Sequence, residues 1–254
     1  MKITILQRNI EWANPQANIA RADEAISCLL DADLFVLPEM FSTGFLYATP
    51  KEFAESADSE TLHWMKRKAA ERNCAIAGSV AVCENGNYYN RFYFVHPDGA
   101  VQHYDKKHLF TFGGEHKRFT AGTERVVVNF RGVRILLEVC YDLRFPVWSR
   151  NLGDYDMILY VASWPTPRVD AWSALLRARA IENQCYVAGV NRMGTDPACE
   201  YSGGSAIIDP YGKTIAECPW SRESAVSADI DMEALQAFRK KFPVLDDADP
   251  FTLI

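Results

Sequence analysis

Short apolar segments alternate with longer amphipathic ones through the first third of the chain. The apolar runs are "KITILQ" (2–7), "LFVLPEM" (34–40) and "CAIAGSVAV" (74–82). Between them, residues 17–31 and 59–73 place apolar side chains at helical spacing. Parallel strands need long crossover connections, and a helix is the usual one. This order therefore predicts a βαβαβ arrangement within a layered α/β fold.

The rest of the chain contains several signals for antiparallel hairpins, a long helix over residues 169–184, and a last strand that leads into a C-terminal helix. The turn sequences "DG" at 98–99, "RG" at 131–132 and "DPYG" at 209–212 each lie between two strand-like segments. Repeated hairpins favour two mixed sheets that face each other, with helices outside, over one doubly wound parallel sheet. No linker, low-complexity segment or repeat interrupts the pattern, so residues 1–254 are predicted to form a single domain.

Composition argues against several classes of function. The net charge of −6 and the lack of a basic run argue against nucleic-acid binding as the main activity. No apolar stretch reaches the roughly 20 residues that span a bilayer, and no signal peptide is recognisable. We therefore expect a cytoplasmic protein without a membrane partner. The seven cysteines include no CxxC pair, which indicates neither a disulfide framework nor a metal site.

Reactive side chains follow three of the predicted strands. These are Glu39 after "LFVLP", the Lys106-Lys107 pair after "AVQHYD", and Cys140 after "ILLEV". Functional sites of α/β sheets assemble at strand carboxyl ends, so these groups could meet. A thiol, a carboxylate and a lysine supply a nucleophile, a base and a cation for an oxyanion, the set that acyl transfer requires. Spacing does not choose between the two lysines, and a histidine base also stays open. The chain has five histidines, His63, His96, His103, His108 and His116. Of these, His103 and His108 flank the lysines and His116 follows Glu115.

Cys140 lies between two acids, Glu138 and Asp142. Negative charge near a thiol raises its pKa and hinders formation of the thiolate. In a regular strand, residues 138, 140 and 142 share one face. We therefore predict that the strand breaks at Cys140 and turns Asp142 toward the backbone or toward Arg144. Glu138 is then expected either near the pocket or in a pair of its own.

Three motifs, in order, resemble those of the nitrilase superfamily of carbon–nitrogen hydrolases. They are "FVLPEMF" (35–41), "YDKKHLF" (104–110) and "EVCYDLRFP" (138–146). Flanking segments such as "RARAIENQCYVAGVNR" (177–192) extend the resemblance over essentially the whole chain. The resemblance implies a four-layer α-β-β-α sandwich of two mixed sheets with outer helices. It also implies assembly into homodimers or larger homo-oligomers, and no metal or organic cofactor.

The resemblance also implies roles for individual residues. Glu39 matches the family's general base and Cys140 its nucleophile. The family pattern K-x-H-L-F matches "KKHLF" and selects Lys106 over Lys107. Glu115, in "FGGEHKRFTAG", matches a second glutamate that orients the lysine.

Within the family, "CYDLRFP" resembles the omega-amidase branch, which hydrolyses the amide of 2-oxoglutaramate or 2-oxosuccinamate. The implied substrate-binding residues are Tyr141 through its backbone N–H, Arg144 for a carboxylate, and Trp164 with Phe41 or Phe45 for the pocket wall. The branch shows an N-x-T-T-G-like run where this chain has "SWPTPRVDAW" (163–172). Arg168, in that run, is a further candidate for the polar end of the pocket.

The sequence leaves two alternatives to an omega-amidase activity. The first is another activity of the same superfamily, that of a nitrilase or an N-carbamoyl amidohydrolase. The second is a catalytically silent domain that uses the pocket for binding or assembly. The complete Glu-Lys-Cys set argues against the second alternative, and we expect a small-molecule amide substrate.

Overall fold

The structure is a computed structural model that describes residues 1–46 and 49–252. In chain order, the strands within these residues are β1 (Lys2–Gln7), β2 (Leu34–Val36), β3 (Glu55–Ser56), β4 (Ala75–Glu84), β5 (Asn87–Val95), β6 (Val101–Asp105), β7 (Val127–Phe130), β8 (Val133–Val139), β9 (Met157–Ala162), β10 (Tyr186–Asn191), β11 (Met193–Thr195), β12 (Glu200–Ser202), β13 (Ala206–Ile208), β14 (Thr214–Glu217) and β15 (Ser224–Asp229). The α-helices are α1 (Pro15–Ser27), α2 (Pro50–Phe53), α3 (Glu60–Arg72), α4 (Pro146–Ser149), α5 (Val169–Glu182) and α6 (Met232–Lys241). No helix in this part of the chain combines the length and the apolar character needed to cross a bilayer.

Most of the strands belong to two mixed sheets. The first has the order β15-β1-β2-β4-β5-β6, with β3 also paired to β4. In it β1, β2 and β4 are parallel, whereas β5 and β6 follow as antiparallel hairpin strands. The second sheet has the order β14-β13-β10-β9-β8-β7, with β8, β9 and β10 parallel. A separate ribbon pairs β11 with β12.

The two sheets face each other across one apolar core. Ile5 and Phe92 from the first sheet and Leu137 and Leu159 from the second are fully buried in it. On its outer face the first sheet packs against α1 and α3, and the second packs against α5 through residues such as Trp172. The layers therefore follow the order α-β-β-α, and the predicted four-layer sandwich is confirmed.

The predictions that were based on turn sequences and on hydrophobic periodicity agree with the structure. The predicted βαβαβ order is present as β1-α1-β2-α3-β4, with α2 and β3 inserted before α3. The turn at 131–132 joins β7 to β8, and both of its residues have positive φ, as the tight hairpins that suit strand twist require. The antiparallel pairing of β15 with β1 and the β11–β12 ribbon were not predicted.

The ends of four strands carry the chemically important residues. Glu39 follows β2 by three residues, and Lys106 directly follows β6. In the second sheet, Cys140 directly follows β8 and Ser163 directly follows the neighbouring parallel strand β9. The facing of the two sheets therefore brings together groups that are more than 100 residues apart in sequence.

Substitution of Leu159 tests how much the core between the sheets contributes to stability. Leu159→Ala removes a fully buried side chain from β9, so we expect the free energy of unfolding to fall by about 2–5 kcal/mol. Urea denaturation followed by circular dichroism measures this change. The matched control is Leu30→Ala, because Leu30 is 82% exposed and should change stability by less than about 0.5 kcal/mol. Equal losses in both variants would contradict the assignment of Leu159 to a packed core.

Candidate active site

Cys140 lies at a sharp break at the end of β8. The strand ends at Val139, and a 3₁₀ turn spans Cys140–Arg144. The backbone of Cys140 has a φ of 46°, in the left-handed region, where a residue with a Cβ atom costs about 1–3 kcal/mol. The Asp142 carboxylate accepts a hydrogen bond from the Val139 N–H at 2.9 Å and thereby closes the turn. The predicted strand break at Cys140 is confirmed.

Asp142 connects the Cys140 turn to the segment that carries Lys106. Its buried carboxylate accepts hydrogen bonds from the Tyr104 hydroxyl at 2.8 Å, the His108 backbone N–H at 2.9 Å and the His108 ring Nδ1 at 2.8 Å. Tyr104 and His108 lie two residues before and two residues after Lys106. Asp142 therefore faces the backbone, which was one of its two predicted orientations, and it holds the segment around Lys106 beside the turn.

A lysine between two acids forms the floor of the site. Lys106 Nζ lies 3.0 Å from Glu39 Oε1 and 3.0 Å from Glu115 Oε2, and all three side chains are fully buried. Burial by itself lowers the pKa of Lys106, but the carboxylates of Glu115 and Glu39 outweigh it and raise the pKa above its usual value. Lys106 is therefore a cation at neutral pH. Lys107 points elsewhere, with its Nζ 5.3 Å from the centre of the Trp148 ring.

Both carboxylate oxygens of Glu39 are held. Oε1 accepts hydrogen bonds from Lys106 and, at 2.7 Å, from the Asn90 side-chain amide. Oε2 accepts a hydrogen bond from the Ser163 backbone N–H at 2.7 Å. Asn90 belongs to β5 in the first sheet, whereas Ser163 follows β9 in the second. The two sheets together therefore fix the direction of a single carboxylate.

The thiol of Cys140 is neutral before any reaction. Burial raises the pKa of Cys140 well above its usual value, and the Glu39 carboxylate raises it further. The Lys106 ammonium lowers the pKa without cancelling the other two effects. A neutral thiol must lose its proton as it attacks. Among the charged neighbours of the thiol, Glu39 has the largest effect on its pKa and is the candidate to take that proton.

A pocket of about 240 Å³ adjoins Cys140 and Lys106. Much of its wall is aromatic, and the rings belong to Phe45, Phe110, Phe112, Tyr141, Trp164 and Tyr201. Two guanidinium groups, those of Arg144 and Arg168, also line the pocket. Arg144 is exposed and Arg168 is half-buried, so both lie on the solvent side of the pocket. The pocket is thus apolar along its wall, cationic toward solvent and reactive at its floor.

Most of the residues expected to form the pocket do line it. Tyr141, Arg144 and Trp164 are all part of the lining. Of the two phenylalanines, Phe45 lines the pocket, whereas Phe41 is buried in the core between the first sheet and helices α1 and α3. Among the described residues, none of the five histidines lines the pocket. Glu39 does not line it either, but its carboxylate acts on the Cys140 thiol from beside Lys106, which keeps Glu39 as the candidate base.

The chain matches the family model described as "Carbon-nitrogen hydrolase" over residues 2–240. It belongs to the carbon–nitrogen hydrolase family. It is 48% identical over 254 residues to a protein of Escherichia coli K12 named "Omega-amidase YafV", a match that covers 100% of this chain and 98% of the relative. It is 39% identical over 250 residues to a "2-oxoglutaramate amidase" of Bacillus subtilis 168, with 96% of each chain covered.

Solved structures of relatives share the fold of this carbon–nitrogen hydrolase. A protein of the CN-hydrolase superfamily from Xanthomonas campestris, with an arsenic adduct in its active site, superposes with a TM-score of 0.96 at 42% identity. That match covers 100% of this chain and 98% of the other. The nitrilase-superfamily protein Nit3 of Saccharomyces cerevisiae superposes with a TM-score of 0.86 at 23% identity, over 96% of this chain and 94% of that one. The match to Nit3 supports the architecture alone.

Several residues of this carbon–nitrogen hydrolase site were not predicted from the sequence. Asn90 could have been suspected, because a buried amide is unusual within the aromatic strand "YYNRFYFV" (88–95). Ser163 contributes its backbone N–H to Glu39, and a backbone contribution of this kind leaves no signal in the residue type. Cys199 and Tyr201 reach the pocket from the β11–β12 ribbon, which itself was not predicted.

Glu138 belongs to a separate buried polar group on the helix-facing side of the second sheet. Its Oε2 accepts a hydrogen bond from the Ser149 hydroxyl at 2.8 Å, and that hydroxyl lies 2.9 Å from the Tyr160 hydroxyl. Burial raises the pKa of Glu138 to about 8, and the charge of Asp142 raises it as well. Glu138 therefore has a hydrogen-bond partner of its own, which was one of the two predicted alternatives.

Glu138 should make stability depend on pH. Its pKa rises from an ordinary 4.5 to about 8 in the folded chain. The folded state therefore binds this proton more tightly than the unfolded state does. The resulting contribution to the free energy of unfolding is complete below pH 4.5 and is lost as the pH rises through 8. Glu138→Gln retains a hydrogen-bonding oxygen without titrating. Relative to the native chain, we expect its free energy of unfolding to increase between pH 5 and pH 9, by on the order of a few kcal/mol.

Urea denaturation of both proteins at pH 5, 7 and 9 measures this difference. The matched control is Glu24→Gln, because Glu24 is exposed on α1 and its substitution should leave the pH dependence unchanged. A difference between Glu138→Gln and the native chain that stays constant across the three pH values would contradict the raised pKa of Glu138.

Proposed function

We propose that this carbon–nitrogen hydrolase cleaves the terminal amide of a short 2-oxo acid amide, such as 2-oxoglutaramate or 2-oxosuccinamate, to the acid and ammonia. The observation that carries the proposal is the buried Glu39–Lys106 pair beside the Cys140 thiol at the floor of a small pocket. The names of the relatives, omega-amidase and 2-oxoglutaramate amidase, support the substrate class.

In the first half of the reaction, Cys140 attacks the amide carbon. Its thiol proton passes to Glu39 as the sulfur–carbon bond forms, because the thiol is neutral at rest. The Lys106 ammonium and the backbone N–H of Tyr141, the residue after the nucleophile, stabilise the oxyanion of the tetrahedral intermediate. A donor in this position typically contributes about 3 kcal/mol to lowering the barrier.

The second half releases both products. Glu39 passes its proton to the amide nitrogen, and the carbon–nitrogen bond breaks. Ammonia departs, and the acyl group stays on Cys140 as a thioester. Glu39 then takes a proton from a water molecule, which adds to the thioester carbon. The carbon–sulfur bond breaks, the sulfur regains its proton from Glu39, and the acid departs. One water is consumed for each amide hydrolysed, and no metal or organic cofactor takes part.

Glu115 has a positioning role in this scheme. Both of its oxygens lie within 3.2 Å of Lys106 Nζ, and its Oε2 also accepts a hydrogen bond from the Phe110 backbone N–H at 2.6 Å. Glu115 is fully buried, so its contact with the lysine is dry and directional. It holds the ammonium in place, while the neighbouring Glu39 remains available for proton transfer.

Arg144 is the group that we assign to the carboxylate of the substrate. It lies at the end of the turn that begins at Cys140, and it lines the same pocket. Its guanidinium carbon is 4.8 Å from the centre of the Trp164 ring, a stacked position that leaves the N–H groups in its plane available. A guanidinium can bind a carboxylate through two parallel hydrogen bonds.

Three further features belong to the proposal: a single domain over residues 1–254, a cytoplasmic location and assembly into a homodimer or larger homo-oligomer. The seven cysteines are all free, as is usual in a reducing compartment. Large apolar side chains are exposed near α5 and α6, including Ile181 at 50% and Phe242 at 59%. Such exposure supports burial against a second copy.

A substrate panel tests the activity. We expect ammonia release from 2-oxoglutaramate, and none from an aliphatic nitrile or an N-carbamoyl amino acid at the same concentration. A glutamate dehydrogenase assay measures the ammonia. Faster release from the nitrile or the carbamoyl compound would assign one of the other activities of the superfamily to this chain.

Substitution of the proposed nucleophile and base tests the mechanism. Cys140→Ala removes the attacking sulfur, so ammonia release should be abolished. Glu39→Gln keeps the shape but not the basicity, so kcat/KM should fall by about 10²–10⁴-fold. Circular dichroism should show that both variants stay folded. The matched control is Cys28→Ala, since Cys28 is an exposed free thiol and its loss should leave turnover unchanged. Full turnover by the Cys140 variant would overturn the thioester mechanism.

A further inference from the structure

The solvent side of the pocket carries an unusual surplus of positive charge. Arg144 and Arg168 both line it, whereas the lining residues that the structure describes include no aspartate or glutamate. Within residues 1–46 and 49–252, neither guanidinium forms an ion pair with a carboxylate. The chain as a whole has a net charge of −6, so two unpaired arginines in one small pocket do not follow from composition.

Both guanidinium groups are held against aromatic rings. That of Arg144 lies 4.8 Å from the centre of the Trp164 ring, and that of Arg168 lies 5.4 Å from the centre of the Phe110 ring. The indole Nε1 of Trp164 donates a hydrogen bond to the Arg168 carbonyl at 2.7 Å, so the indole of Trp164 contacts both arginines. Stacking uses the faces of the guanidinium groups and leaves their N–H edges available to a ligand.

A monoanionic substrate needs only one of these two groups for its carboxylate. The proposed substrate is a 2-oxo acid amide, and its oxo oxygen is an acceptor on the carbon next to the carboxylate. The corresponding amino acid amide, glutamine, carries an ammonium group on the same carbon. A second guanidinium at this position can therefore donate a hydrogen bond to the oxo oxygen, and it repels the ammonium.

We infer that Arg168 selects a 2-oxo acid amide over the corresponding amino acid by donating a hydrogen bond to the 2-oxo oxygen, while Arg144 holds the carboxylate. This inference rests on the proposed function, because it assigns the two ends of the same substrate. It makes Arg168 a specificity residue that acts far from the amide being cleaved.

Three substrates separate the contributions of the two arginines. They are 2-oxoglutaramate, glutaramate, which lacks any substituent on carbon 2, and L-glutamine. For Arg168→Gln, we expect kcat/KM to fall by about 10- to 100-fold with 2-oxoglutaramate, the usual effect of losing one charge-assisted hydrogen bond. We expect little change with glutaramate, and no loss or a gain with glutamine. The fall should appear mainly in KM, since the reacting groups are untouched.

Two further variants keep the result interpretable. Arg168→Lys retains the positive charge without the planar fork, so glutamine should still be rejected while the rate with 2-oxoglutaramate falls. Arg144→Gln removes the contact that all three substrates share, so all three should lose kcat/KM by a similar factor. The matched control is Arg67→Gln, because Arg67 is exposed on α3 and its substitution should change none of the three rates.

The outcomes distinguish this inference from the proposed function. Equal losses with all three substrates in Arg168→Gln would overturn the selective role of Arg168, while hydrolysis of 2-oxoglutaramate by the native enzyme would still support the proposed function. No hydrolysis of 2-oxoglutaramate by the native enzyme, with turnover of another amide or nitrile, would overturn the proposed function itself. A selective loss with 2-oxoglutaramate supports both.

Discussion

The contact of Lys106 with two buried acids is the interaction on which the rest of the site depends. Removing charged groups from water costs free energy. An ion pair offsets that cost only when its geometry is good and the other polar atoms of both groups have hydrogen bonds. Here Asn90 and the Ser163 backbone N–H supply those hydrogen bonds to Glu39. The loss of Lys106 would leave two buried carboxylates without the cation that they share, so the strands that carry these groups must meet in one arrangement.

A further buried carboxylate, that of Asp142, connects the nucleophile to that arrangement. Asp142 closes the turn at Cys140 and accepts hydrogen bonds from Tyr104 and His108, on either side of Lys106. The acid two residues after the cysteine, which looks unfavourable for a reactive thiol, thus has a structural role. It fixes the strained backbone of Cys140 beside the lysine, and the strain is tolerated because the surrounding hydrogen bonds determine the conformation.

Charge is distributed unevenly along the pocket, so its two ends differ and give the pocket a direction. Its floor holds a neutral thiol beside a carboxylate and an ammonium, whereas its solvent side holds two guanidinium groups stacked on aromatic rings. A substrate with an amide at one end and a carboxylate at the other fits this direction in one orientation only. Specificity and catalysis are therefore assigned to opposite ends of the same small cavity.

Local periodicity and residue type were enough to predict the main strands and helices, the hairpin turns and the reactive groups that follow three of the strands. The choice of Lys106 over Lys107 came from the family resemblance. Contacts between residues that are far apart in sequence became known only from the packing of the two sheets. The tertiary structure paired β15 with β1, brought Asn90 and Ser163 to Glu39, and chose Phe45 over Phe41 for the pocket wall. Such contacts depend on how two sheets pack face to face, and no local pattern encodes the partner that a side chain meets across that interface.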